Sequence, residues 1–404
     1  MINIGLLGLG VVGTGVVEIL EERQREISLL VGEEINIKKV LVKNVNKKRD
    51  VSLKQNTIVS NFEEILNDDE ITIVIEVTSD IDKSYEYIKA ALNKGKSVVT
   101  ANKALVSKYF EELSSLADEK GVSFLYEASV GGGIPIIKPL KEEIILNEIT
   151  DVQGILNGTC NYILTRMFNE GLDYSEVLTN AQELGYAEMN PAADVEGDDT
   201  LRKLRILGSL SLQGKVGEED IILEGINKIT SFDVRQIKLM QSTVKLIGEV
   251  MELDDGYNAL VLPTIVKNNS YFASVNMAYN AVIFKGDNIG ELKFYGSGAG
   301  KLPTGDAVLR DVLDIALGYN RKANPLGDKT LKNNNSEFKS KFYLRISDST
   351  EKIVKSLEDI SEKVLSTKEN IAILTREIEL KKIMDTISSL GIEKDEYFIA
   401  RILD

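Results

Sequence analysis

Histidine and tryptophan are both missing from this 404-residue chain, and cysteine occurs once, at Cys160. The lack of imidazole removes Ser-His-Asp hydrolases, Cys-His proteases and nearly all zinc enzymes. It also removes dehydrogenases that use imidazole as acid or base, so proton transfer must fall to Lys, Glu, Asp or Tyr. No transition-metal site is expected, and a hard cation held by oxygens is the kind of ion left open. A lone cysteine cannot form an intramolecular disulfide, which fits a reducing, cytoplasmic setting. No apolar run reaches membrane-spanning length, and the N-terminus opens directly into a strand rather than a signal peptide. Basic residues are in deficit, 48 against 63 acidic, and the net charge of −15 argues against nucleic acid or anionic membrane as partner. What is there, 43% hydrophobic and 27% charged residues, is enough for a large core shared among two or three domains.

Residues 2–7 read as a buried strand, followed by Gly8-Leu9-Gly10-Val11-Val12-Gly13 and helical periodicity from Val16 to Arg25. Strand, G-x-G-x-x-G and helix in this order form a dinucleotide-binding fingerprint. Gly8 permits the tight turn, Gly10 lets the backbone approach a pyrophosphate, and Gly13 lets the helix lie close to the strand. Ile37 to Val42 is the next strand. NAD-specific folds place Asp or Glu at its end; here stand Lys43 and Asn44, with Lys47, Lys48 and Arg49 nearby. With no acid to repel a 2′-phosphate, the expectation is NADP, with NAD as the alternative and a plain solvated basic loop as the bland reading. Further strands are expected over Ile71 to Val77, ending in Thr78, over Ser97 to Thr100, and over Val122 to Tyr126, with a helix over Tyr85 to Asn93. Asn102 and Lys103 then sit at the carboxyl edge of the sheet, where open α/β folds bind ligands. Glu127 to Pro135 is a glycine-rich turn, expected to be a domain boundary whose carbonyls could hold a cation.

Beyond about 136, helices are expected over 136–146, 158–170, 175–185 and 199–213. Long β-type segments follow, such as Ser242 to Leu253 and Ala259 to Val266. This is an α+β pattern on an antiparallel sheet, with a face suited to subunit pairing. The central stretch carries Asn157-Gly158-Thr159-Cys160-Asn161-Tyr162, then Glu188, then Asp199 and Lys203. Asp199 and Lys203 share one helix face. A lysine beside one carboxylate, with a second near, can hold a polar substrate and pass a proton. The alternative is an ordinary surface ion pair. A second glycine-rich loop, Gly296 to Thr304, precedes a helix that could return to the first domain. Residues 320–339 are polar and turn-rich, a linker. A βαβαβ order then suggests a small ferredoxin-like module, with Phe342 to Ile346, Ile371 to Thr375 and Tyr397 to Ile402 as its strands and Ser361 to Leu365 as a further candidate.

Together these residues closely resemble the homoserine dehydrogenase family over roughly 1–320, and the appended module resembles an ACT-type domain. The resemblance rests on G-L-G-V-V-G at 8–13, T-A-N-K-A-L at 100–105, E-A-S-V-G-G-G-I-P at 127–135, the stretch 154–203, and G-S-G-A-G-K-L-P-T at 296–304. It implies a Rossmann domain over 1–130 with a return helix at about 302–320, a substrate-binding and dimerisation domain over 131–301, a linker at 321–340 and an ACT-like module over 341–404. It implies interconversion of L-homoserine and L-aspartate 4-semialdehyde in threonine, methionine and isoleucine biosynthesis, in a homodimer or dimer of dimers. Lys203 is then the general acid/base, Asp199 and Glu188 hold substrate, and Lys103 serves both substrate and cofactor. Cofactor contacts are expected at Gly8, Gly10, Val11, Val12, Gly13, Lys43, Thr78, Asn102, Lys103, Gly298 and Gly300. Sodium is expected at Glu127, Val130, Gly132 and Ile134, largely through backbone carbonyls. Cys160 stands where the family more often has Thr, and Asn190 where an acid commonly precedes the proline; neither removes a catalytic group. The module's turn Ser347-Asp348-Ser349-Thr350 departs from the acid-x-Pro-Gly of ACT domains, so dimerisation rather than threonine sensing is expected there. Two rival readings are an acylating semialdehyde dehydrogenase using Cys160 and a non-catalytic sensor of nucleotide and amino acid.

Overall fold

A computed structural model describes residues 1–403 apart from 48, 50, 52, 54–56, 320–328, 349 and 367–369. Lys48, Ser349 and residues 321–328 of the expected linker therefore lie outside the described residues. The chain forms two compact units, one of 1–147, 209–215 and 294–329, the other of 148–208, 216–293 and 330–404.

The first unit is built on β1 (Ile2–Leu7), β2 (Ile35–Leu41), β3 (Ile58–Val59), β4 (Ile71–Glu76), β5 (Ser97–Thr100) and β6 (Phe124–Leu125), in the order β3-β2-β1-β4-β5-β6. Every neighbouring pair is parallel. Parallel strands are covered on both faces, hence their near-continuous Val, Ile and Leu. Ile4, Leu6 and Leu7 of β1 are fully buried. The helix after the glycine turn starts at Val11 and ends at Glu22, earlier at both ends than periodicity suggests, because Arg23 leaves helical geometry before a second helix, Gln24–Val31. Val16, Val17 and Leu20 of the first helix meet Ala307, Val308 and Val312 of the helix Lys301–Ala316 in one apolar cluster. Residues 127–147 remain in this unit.

The second unit holds β7 (Ile149–Ile155), β8 (Ile222–Leu223), β9 (Ser242–Leu253), β10 (Gly256–Lys267), β11 (Tyr279–Gly286), β12 (Gly290–Ser297), β13 (Lys339–Ile346), β14 (Ser361–Ser366), β15 (Ile371–Thr375), β16 (Ile378–Glu379) and β17 (Tyr397–Leu403). Their order is β12-β11-β7-β9-β10-β17-β13-β15-β14, with β16 beside β13 and β8 beside β10. The sheet is mixed rather than antiparallel throughout: β10 runs parallel to β17 and to β8. The physical reason is an edge. β10 would otherwise present a row of unpaired N–H and C=O groups, and β17 satisfies them by running alongside. The C-terminal strands thus continue the same sheet.

Buried polar links reinforce that continuity. Asp233 on the helix Ser231–Leu239 accepts from Arg345 Nε at 3.0 Å and from the Tyr343 hydroxyl at 2.7 Å. Tyr397 donates to Glu224 at 2.9 Å. Of the polar run after 319, the described remainder is tied to β10: Asn335 exchanges hydrogen bonds with the backbone of Ala259 at 2.8 and 3.1 Å. Among the described residues no helix is long and apolar enough to cross a membrane. Asp233→Asn leaves the Arg345 guanidinium buried without its counter-charge, a loss expected to cost about 3 kcal/mol or more. Thermal or urea unfolding of the full chain checks this.

Candidate active site

The turn after β1 is made by close approach. Gly8 adopts a φ of +102°, and a Cβ there would lie 3.0 Å from the Val77 carbonyl. A Cβ on Gly13 would lie 2.3 Å from the Gly8 carbonyl, so the helix can touch the turn only as glycine. Gly10 faces open space; it is the N-cap residue, and no side chain caps this helix. Val11 is exposed and Val12 half-buried. A helix N-terminus with uncapped N–H groups and no acid in its first turn suits a phosphate group. The residues present fit a dinucleotide on this observation. β1 lies between β2 and β4, so the connections depart in opposite directions here, at the switch point of the sheet.

The neighbouring strand ends supply polar groups. Thr78 donates its N–H and hydroxyl to Glu76 Oε1, both at 2.7 Å, and Thr100 donates to Glu76 Oε2 at 2.7 Å. Asn102 caps the helix Lys103–Lys120 and reaches the Thr78 carbonyl at 3.4 Å. Lys103 is the first residue of that helix and is half-buried. Sequence reading missed Glu76, which holds this edge together from a fully buried position. At the end of β2, Lys43 is exposed, and the expectation that no acid stands there needs correcting. Asp80, the cap of the helix Ile81–Asn93, lies 3.7 Å from the Lys43 ammonium. Spacing hid this because Asp80 arrives from beyond β4.

Glu127 has a different task from the one a metal ligand would have. Its carboxylate accepts from the N–H groups of Ile136, Ile137 and Lys138 at 2.6, 2.9 and 2.7 Å, capping the helix Ile137–Glu143. Val130, Gly132 and Ile134 are buried in the adjoining turn, and Gly132 abuts the carbonyl of Gly298. Gly300 caps the helix Lys301–Ala316. Among the described residues no three acidic or thiol side chains converge on a metal position. The Glu127 carboxylate is thus occupied by main-chain N–H groups.

In the second unit, each residue of Asn157-Gly158-Thr159-Cys160-Asn161-Tyr162 has a physical task. Asn157 caps the helix Gly158–Glu170 through Oδ1, which accepts from the Cys160 N–H at 2.8 Å. Its Nδ2 donates to Asp194 Oδ1 at 2.7 Å and Asp199 Oδ2 at 2.8 Å. A Cβ on Gly158 would lie 2.8 Å from the Ala278 carbonyl. Thr159 donates to the Tyr186 carbonyl at 2.7 Å, and Tyr162 stacks on the Tyr186 ring with centroids 4.6 Å apart. The Cys160 thiol donates to the Asp194 carbonyl at 3.1 Å. Burial, with Asp194 and Asp199 adding, pushes this thiol well above its usual range, which argues against a nucleophilic thiolate. Asn161 donates to the carbonyls of Val275 and Tyr279 at 3.2 and 2.9 Å.

These residues surround the pair that sequence singled out. Lys203 Nζ donates to Asp199 Oδ2 and to the Leu156 carbonyl, both at 2.7 Å. Asn280 steadies that carbonyl from β11 at 2.8 Å. Lys203 is 7% exposed and Asp199 3%, so the pair is no surface decoration. Glu188 shares the unit but is exposed, its backbone carbonyl accepting from Gln182 at 3.0 Å. Asp194 and the carbonyl of Leu156 were missed. An acid inside the short helix Ala192–Val195 was open to suspicion, whereas a backbone carbonyl has no letter of its own.

A nucleotide turn at the carboxyl edge of a parallel sheet defines the class: a protein with a Rossmann-type dinucleotide-binding domain. Comparison with known proteins narrows it. Residues 8–127 match the NAD-binding domain of homoserine dehydrogenase, and 135–313 match the homoserine dehydrogenase domain that follows. The homoserine dehydrogenase of Synechocystis sp. is 43% identical over 318 residues, 78% of this chain and 73% of that protein. The Bacillus subtilis enzyme is 41% identical over 314 residues, 78% and 72% respectively. A homoserine dehydrogenase structure from Thiobacillus denitrificans aligns with a TM-score of 0.92 at 32% identity, covering 100% of this chain and 98% of that one. A hyperthermophilic archaeal homoserine dehydrogenase in complex with NADPH aligns with a TM-score of 0.67 at 25% identity, covering 80% of this chain and 99% of that one. The chain belongs to the homoserine dehydrogenase family, oxidoreductases that act on a CH–OH group in amino-acid biosynthesis.

One buried amine beside the site carries a test of its own. Lys245 Nζ donates to neutral oxygens: the Val275 carbonyl, Asn161 Oδ1 at 3.0 Å and Asn276 Oδ1 at 3.3 Å. Burial lowers its pKa from 10.5 to about 8. Between those values the unfolded chain binds the extra proton, so this residue's contribution to stability rises with pH there and is least favourable below about 8. The stability of the wild type relative to Lys245→Met should accordingly shift in the wild type's favour as pH rises through that window, measured by chemical unfolding of both proteins.

Proposed function

We propose that Lys203 is the general acid/base for interconversion of L-homoserine and L-aspartate 4-semialdehyde, with NADP as the preferred cofactor and NAD as a weaker one. The bound nicotinamide supplies or takes up the hydride. The reading rests on one observation: a buried amine held at 2.7 Å by both a carboxylate and a carbonyl. In the reducing direction the aldehyde oxygen gains negative charge, and Lys203 supplies the proton it needs. We assign Lys103 a share in stabilising that charge. Asp199 orients Lys203 within a low-dielectric setting, where an unpaired ammonium would be costly. Glu188, exposed and acidic, is assigned to the substrate ammonium. In the oxidising direction Lys203 must begin as the neutral amine, so turnover is expected to climb toward alkaline pH.

Cofactor contacts are assigned to Gly8 through Gly13, Lys43, Thr78, Asn102, Lys103 and the loop at Gly298 and Gly300. The Lys43 ammonium is the group that favours a 2′-phosphate, and Asp80 at 3.7 Å tempers it. A sodium ion is assigned to the main-chain oxygens of 127–134. A homodimeric state and a cytoplasmic setting complete the proposal.

The direct test is spectrophotometric: homoserine is added with each cofactor in turn and reduced nicotinamide is followed. Lys203→Ala is expected to lower kcat by about 100-fold or more with an unchanged fold. Retained kcat in a folded Lys203→Ala protein would remove the assignment. Lys43→Glu is expected to lower the NADP-to-NAD ratio of kcat/KM by about 10-fold, or roughly 1.4 kcal/mol. An unmoved ratio would place the 2′-phosphate elsewhere.

A further inference from the structure

We infer that Asn157 is a positioning residue of the reaction: its side-chain amide binds Asp194 and Asp199 together and so sets how firmly Lys203 holds its proton. The inference rests on Lys203 being the acid/base.

The argument starts from one oxygen. Asp199 Oδ2 accepts from Lys203 Nζ at 2.7 Å and from Asn157 Nδ2 at 2.8 Å. It therefore divides its acceptor capacity between a neutral amide and the amine that carries the proton. The same amide nitrogen donates to Asp194 Oδ1 at 2.7 Å, so two carboxylates lie within two hydrogen-bond lengths of each other beside one lysine. Two acids this close repel, and each hydrogen bond from Asn157 offsets part of that repulsion without adding a second positive charge. A cation in place of the amide would compete with Lys203 for Asp199. A residue with no donor would remove the amide's share of Asp199 Oδ2, strengthening its bond to Lys203 and with it the ammonium form.

The backbone leaves Asn157 little freedom to do otherwise. The Leu156 carbonyl is taken by Lys203 and Asn280, and Gly158 lies against the Ala278 carbonyl with no room for a side chain. The two tasks of Asn157 use different atoms. Its Oδ1 caps the helix Gly158–Glu170, whereas its Nδ2 serves the acids. Serine is as good an N-cap as asparagine but brings no amide group to span two carboxylates. Asn157→Ser therefore separates folding from positioning.

The experiment uses the full chain and follows homoserine oxidation with NADP across neutral to alkaline pH, alongside thermal unfolding. Asn157→Ser is expected to remain folded with a lowered unfolding temperature, while kcat/KM falls about 10-fold and the alkaline rise in rate moves up by about one pH unit. Asn157→Asp, which also caps a helix, adds a third negative charge and is expected to move the rise further; it serves as the measurement should the serine variant fail to fold. A folded variant whose rise in rate coincides with the wild type overturns the inference, even if kcat/KM has dropped, because a merely structural role would lower the rate without moving the pH dependence. Lys203→Ala is run in parallel. Its inactivity beside wild-type pH profiles in the Asn157 variants removes only the role of Asn157, whereas retained kcat in Lys203→Ala removes the acid–base assignment itself.

Discussion

A lysine ammonium buried in a protein needs a compensated charge. That constraint shapes the second unit. An ammonium taken out of water without partners would lose several kcal/mol, so the fold brings it acceptors from two directions. One is Asp199, a helical turn away on the same helix. The other is the carbonyl of Leu156, released from sheet pairing because β7 ends at Ile155 opposite Ala281. The point where the strand stops and the helix Gly158–Glu170 begins is thus also the point where the amine is held. Asn157 sits between the two elements, capping the helix and tying together Asp194 and Asp199, which two later helices supply.

The first unit meets a different demand, which is to bring backbone close to phosphate. Its strands run parallel and are covered on both faces, so polar groups can appear only at their ends. Those ends gather Gly8, Lys43, Thr78 and Asn102 along adjacent strands β2, β1, β4 and β5. Glu76 is the hidden support: a buried acid saturated by hydroxyls and an N–H, which holds Thr78 and Thr100 in place. Glu127 is support of the same kind, a carboxylate spent on the start of a helix.

The C-terminal strands are joined to the rest of the second unit more intimately than an appended module needs to be. β17 completes the edge of β10, and its Arg401 pairs with Glu249 of β9, which in turn accepts from Gln153 of β7. Arg345 and Tyr343 both converge on Asp233. β17 and β7 thus belong to one sheet.

Much of this was readable in the chain. The order strand, G-L-G-V-V-G, helix told of a nucleotide turn because only glycine tolerates the approaches at positions 8 and 13. The four-residue spacing of Asp199 and Lys203 told of a shared helix face, and the helix 158–170 and the strand Ser242–Leu253 came out at the residues expected. These are local matters, governed by backbone stereochemistry and side-chain period. What folding alone decided is depth and convergence: that the lysine is buried, that a main-chain carbonyl meets it, that Asn157 links Asp194 to Asp199, that Asp80 reaches Lys43, and that β17 runs parallel to β10. Each depends on contacts between segments tens or hundreds of residues apart, and no spacing along a chain encodes which distant oxygen will come to rest beside a given nitrogen.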